Sequence, residues 1–257
     1  MKTKLFTIAL ALIGLTAFAQ ITVTDAHVPS IGDIFYQAYD ASPAGSINVG
    51  NSGMGESWDF SALQVSYIDT VLFISPVGTP NANLYNNVNI CMDDKGVITY
   101  FNKSSSGLYM HGVNDTVFNS PALYLPLPLT YGLSDFDGPI VIIDTAISGS
   151  FLSLVIPPAT VVALSNGLAN RADTALIQVT NTTDFEADGS GTITTPLGTY
   201  DVLRLKTIQN TSSVLNVYCS DTASGMGTWI NNIPFSSIPL LAGFSNDEQE
   251  IKYQWIT

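Results

Sequence analysis

Asp184-x-Glu186-x-Asp188-Gly189 is the spacing in this 257-residue chain that comes nearest to a ligand set. Oxygen ligands at positions 1, 3 and 5, with a glycine at 6, form the first half of a calcium loop. Position 12 falls on Thr195, where such a loop places a bidentate glutamate. The segment therefore reads either as an incomplete calcium site or as a strand ending in a polar turn. Asp135-x-Asp137-Gly138 is a shorter version of the same pattern and reads as a turn.

Residues able to carry nucleophilic or acid–base chemistry are scarce. His27 and His111 are the only histidines, and their spacing supports no Ser–His–Asp or Cys–His arrangement. The chain has no Gly-x-Ser-x-Gly elbow, no phosphate-cradling glycine loop and no His-Glu-x-x-His. These absences point away from an enzyme, and no catalytic residue or cofactor is assigned beyond the calcium pattern. A hydrolase built on two carboxylates stays open as a third reading, because 21 acidic residues always offer a pair. Trp58, Trp229 and Trp255 could stack on sugars, although aromatic residues of β proteins are first of all packing mass. Cys91 and Cys219 are either a single long-range disulfide or two buried thiols.

The elements that would position such groups are strands. Turn residues recur at short intervals, with brief apolar alternations between them. Ile90 to Phe101 reads as two strands around a four-residue loop, Asp93 to Gly96. Gly191 to Thr207 reads as a hairpin turning at Pro196-Leu197-Gly198. Its return strand places Leu203 and Leu205 on one face, and Arg204 and Lys206 on the other. Pro126 and Pro128 make Leu123 to Leu129 an edge strand or an extended crossing. Pro157-Pro158 can open one short helix near 158–168. The expected fold is all-β: an antiparallel sandwich or a strongly curved, half-open sheet.

Export is written at the N-terminus. Lys2 and Lys4 precede an apolar core, Leu5 to Leu15, and Ala17-Phe18-Ala19 supplies a cleavage pattern between Ala19 and Gln20. The core is too short to span a bilayer, and no membrane span is expected after cleavage. Residues 1–19 read as a signal peptide and 20–257 as a single β domain, with a soft internal boundary near 120–140. The whole chain carries a net charge of −13, and loss of Lys2 and Lys4 makes the exported part more acidic still. Such a field repels nucleic acids and anionic lipid surfaces.

Asp-Thr followed by Val or Ala occurs five times, at Thr70, Thr116, Thr145, Thr174 and Thr222, more often than the chain's Asp and Thr content gives by chance. It reads as a turn-to-strand junction. It also resembles the O-glycosylation site of exported Bacteroidota proteins. The Ala-Gln end of the signal, INVGNSGMGESWDFS (47–61), LPLPLTYG (125–132) and GTITTPLGTYDVLRLKT (191–207) resemble one family of such proteins. These are N-terminal modules often followed by a type IX secretion sorting tail. The resemblance implies a secreted or cell-surface protein, or a periplasmic one if the chain ends at Thr257. The leading expectation is a non-catalytic module for adhesion or for binding an extracellular polymer or surface partner. The alternative is a carrier holding a hydrophobic ligand in a curved sheet.

Overall fold

The computed structural model describes residues 21–43 and 47–257, so the signal segment and the Ala19–Gln20 cleavage site lie outside the described residues. The fold is all-β. In chain order the strands are β1 (Thr22–Val23), β2 (Ile34–Tyr39), β3 (Gly53–Asp59), β4 (Tyr67–Ile74), β5 (Ile90–Asp94), β6 (Val97–Ser104), β7 (Gly107–Val113) and β8 (Thr116–Pro126). They continue with β9 (Leu129–Thr130), β10 (Ser134–Ser148), β11 (Arg171–Thr195), β12 (Gly198–Ser220), β13 (Gly227–Ile230) and β14 (Asp247–Ile256). A single turn of helix, α1 (Leu152–Val155), precedes α2 (Pro158–Leu164), which has Pro158 in its first turn as the sequence predicts.

Two six-stranded sheets pack through a shared core. The first is a meander in the order β2-β4-β5-β6-β7-β8, and its strands pair antiparallel. The second is built on the β11–β12 hairpin, with β10 and β3 along the free side of β11, and β13 and β14 along the free side of β12. Among the described residues only the β3–β11 pairing is parallel. The chain crosses between the sheets over 127–133, inside the stretch where the sequence suggested a soft boundary. The largest core nevertheless draws on both sheets. It joins Val71, Phe73, Phe101 and Leu108 of the first to Phe185, Leu203 and Leu205 of the second.

Tight turns set the register. The β5–β6 loop is shorter than the sequence suggests, because Asp93 and Asp94 stay in the strand and only Lys95 and Gly96 turn. Both have positive φ, 52° and 89°, the geometry of a two-residue hairpin that follows the strand twist. The Gly96 N–H donates to Asp93 Oδ1, which fixes the turn. The β11–β12 hairpin turns where expected but over two residues, Pro196 and Leu197, because Gly198 pairs with Thr195 and begins β12.

That hairpin is the spine of the molecule. Its strands run 25 and 23 residues, far beyond the usual 3–10 residues. One face carries Phe185, Ala187, Leu203 and Leu205 into the inter-sheet core. Further along the same face, Ala175, Leu215, Val217 and Cys219 pack under the helices against Leu152 and Val161. Near the turn, the opposite face carries Ile193 and Val202 against Trp58, Phe60 and Trp255. Fully burying a Leu or Val contributes about 1.5–3 kcal/mol, so three separate apolar contacts anchor the one long ribbon.

The disulfide alternative does not hold. Cys91 and Cys219 are free and buried in different clusters, one in each sheet. Burial pushes both thiols up to about 11, so neither supplies a reactive thiolate at neutral pH.

Candidate functional site

The calcium reading fails on local geometry. Asp184, Glu186 and Asp188 belong to β11 and not to a loop. Alternate residues of an extended strand project side by side about 7 Å apart, whereas a calcium loop folds back so that its oxygens converge on one ion. Glu186 faces Lys206, 3.6 Å away. Asp188 sits at a bulge where the register steps from Ala187–Leu205 to Gly189–Arg204. There it takes a bidentate pair of bonds from Arg204, 2.7 Å from Nε and 2.9 Å from Nη2. Asp135 and Asp137 likewise lie in β10 and not in a turn, with a register shift between Asp137 and Ile140. No group of three or more His, Cys, Asp or Glu that could hold a metal occurs among the described residues.

Arg204 is the main surprise of that region. The alternation puts it opposite Leu203 and Leu205, but on that face the rings of Trp58 and Tyr253 and the 49–50 segment close over it, and Arg204 is buried. Its Nη1 donates to the Val49 and Gly50 carbonyls at 2.6 and 3.3 Å, and its guanidinium lies over the rings of Trp58 and Tyr253. The arrangement ties the 49–50 segment to the spine. With its donors and both rings already engaged, it is a structural clamp and offers a ligand nothing.

A site of a different kind opens where the apolar stripe of the spine is interrupted. On the core-facing side, β11 runs Ala175, Ile177, Val179, then Asn181 and Thr183, then Phe185 and Ala187. Its partner β12 runs Leu203 and Leu205, then Thr207, Gln209, Thr211 and Ser213, then Leu215 and Val217. The two interruptions coincide in register, since Asn181 pairs with Thr211 and Thr183 with Gln209. Neighbouring strands extend these rows: Asp137 of β10 stands beside Thr183, and Lys252 of β14 beside Thr207. A hydrophobic core cannot close over such a patch, because each buried amide or hydroxyl left unpaired carries a desolvation cost.

The result is a cleft of about 250 Å³ between the sheets. Asn181, Thr183, Thr207 and Gln209 form its floor, Met110, Ala122 and Tyr124 of the first sheet its opposite wall, and Lys252 and Gln254 another side. Asn181 Oδ1 is buried with no hydrogen-bond partner. By contrast, the charged groups are engaged. Asp137 Oδ2 accepts the Leu123 N–H at 2.8 Å, and Lys252 Nζ lies 2.9 Å from Glu250. Tyr124 leans edge-on against Phe101 while remaining 46% exposed. The cleft therefore presents uncharged donors and acceptors beside a half-exposed aromatic ring.

The signal for it was present in the sequence, as polar residues at alternate positions inside two otherwise apolar strands. It becomes readable only once the register aligns the two breaks. The three tryptophans divide: Trp58 is buried, Trp255 half-buried, and Trp229 is exposed on β13. His111 lies within β7, and burial holds its imidazole below the ordinary value. Of the Asp-Thr positions, Thr70, Thr116, Thr145 and Thr222 are exposed and Thr174 is half-buried. Only Thr116 opens a strand directly after its turn, so the junction reading holds there and not at the mid-strand Thr70, Thr145 and Thr174. No helix among the described residues is long and apolar enough to cross a membrane. Comparison with protein-family models, with curated proteins and with solved structures finds no match to this chain.

Proposed function

We propose that this chain is a non-catalytic binding module of an exported, surface or secreted protein, and that the inter-sheet cleft holds its extracellular partner. The observation that carries the reading is the paired polar break in the spine, where Asn181, Thr183, Thr207 and Gln209 converge on one opening. A protein that only needed stability would continue the apolar stripe. The export signal sends the chain outside the cytoplasm, and the resemblance to exported Bacteroidota modules points to the same habitat. Exposed Thr70, Thr116, Thr145 and Thr222 suit O-linked glycosylation of such a protein. The carrier alternative fits less well, since an acyl chain gains nothing from a floor of amides and hydroxyls.

The test is retention on extracellular matrix material from the producing organism. The wild-type protein should be retained and the matrix polymers left unchanged in length, while a Thr183→Val/Gln209→Leu variant of equal thermal stability washes through. Equal retention of that variant removes the cleft from the reading. Shortening of a polymer that stops on replacement of one carboxylate makes the protein a hydrolase instead.

A further inference from the structure

The chemistry of the cleft narrows its ligand class, and this step rests on the binding reading above. We infer that the cleft takes one unit of a neutral polysaccharide.

The free groups on the floor are uncharged. Thr183, Thr207 and Gln209 offer two hydroxyls and a primary amide, and Asn181 adds a buried acceptor oxygen without a donor. A sugar ring carries hydroxyls that both donate and accept at adjacent positions, which complements this mixture. Of the ionic groups at the edges of the cleft, Asp137 accepts the Leu123 amide and Lys252 pairs with Glu250 near solvent, so the floor itself offers a charged ligand no counter-charge. The whole molecule is acidic, at −13, which disfavours approach by polyanions.

The backbone of the floor lies between neighbouring strands on both sides. At this point β11 pairs with β10 and β12, and β12 pairs with β11 and β14. A peptide that adds to a sheet needs a free strand edge; the floor offers none, and at β8, the edge strand of the wall, the Leu123 N–H is already given to Asp137. Tyr124 supplies a partly exposed aromatic face at the wall, suited to the apolar C–H face of a sugar. A volume of about 250 Å³ lies below the roughly 300–1,000 Å³ of pockets that enclose a whole small-molecule ligand. It suits one ring of a chain whose remainder lies outside.

Affinity electrophoresis in gels containing dextran, mixed-linkage β-glucan, xyloglucan, galactomannan, polygalacturonate or gelatin tests the inference. At least one neutral polysaccharide should retard the wild-type protein. Tyr124→Ala should weaken that retardation about tenfold, the upper range for one aromatic contact. Gln209→Leu should weaken it as well. Tyr124 is partly exposed, so its removal leaves the fold intact, and unchanged thermal midpoints check this for both variants. Retardation by polygalacturonate or gelatin alone, lost in the variants, overturns the neutral-sugar class while leaving the cleft a binding site. Retardation by a neutral polymer that neither variant weakens places the sugar elsewhere and overturns the inference. If no polymer retards the protein, the inference falls, and matrix retention then decides separately whether the binding reading falls with it.

Discussion

Arg204 and Asp188 form a bidentate pair with side chains only 2% and 8% exposed. Taking both charges out of water is costly, and the pair holds because geometry and further bonds offset that cost. Arg204 has those further bonds in the Val49 and Gly50 carbonyls. Removing one partner leaves the other charge buried alone, so Asp188→Leu and Arg204→Met should each lower stability by about 3–5 kcal/mol. The double variant Asp188→Leu/Arg204→Met should recover much of that loss. Urea unfolding of all four proteins measures the coupling, and single variants that add independently would refute it. Residue type misleads at this position. An arginine alternating with leucines reads as a solvent face, and the aspartate two positions beyond Glu186 reads as a cation ligand. The groups that close over the pair, Trp58, Tyr253 and the 49–50 segment, come from distant parts of the chain that local alternation does not connect to the hairpin.

Among the elements, the β3–β11 contact is the most demanding, because this parallel pair closes on a glycine. Gly191 stands opposite Glu56, and a Cβ built there would fall inside the Glu56 backbone, carbonyl oxygen included. Its φ is not in the left-handed region, so space alone requires the glycine. Gly191→Ala should push β3 off the spine at a cost of about 1–3 kcal/mol, the usual range for overpacking. Trp58, now 3% exposed, would gain water and shift its fluorescence to longer wavelength. Gly96→Ala meets no atom within 4 Å and strains only its turn, so its tryptophan spectrum should stay as in the wild type. An unchanged spectrum in Gly191→Ala would show that β3 tolerates the displacement. The hairpin, the edge strand with its prolines and the short helix were legible because each depends on neighbours in sequence. The β3–β11 pair joins residues more than a hundred positions apart, and nothing local announces it.

For the molecule as a whole, charge and cleft chemistry make opposite demands on salt, which separates them experimentally. With 21 acidic residues against 8 basic ones, the folded state repels itself, and surface ion pairs such as Lys252–Glu250 return little. Screening should therefore stabilise the fold. Raising sodium chloride from about 10 mM to about 150 mM shortens the Debye length from roughly 30 to 8 Å and should raise Tm by a few degrees. Asp188–Arg204 lies too deep to be screened much, so the gain reflects repulsion relieved at the surface. Binding should behave differently. A neutral ligand on uncharged floor groups releases no counterions, so its Kd should change less than twofold over the same range, where an ionic ligand would lose affinity steeply. Titration of the polymer that retards the protein, at both salt concentrations and alongside the thermal scans, reads the two effects together. A Kd that weakens as Tm rises would mean that the cleft works through charge, with Lys252 and Asp137 as the groups to replace next.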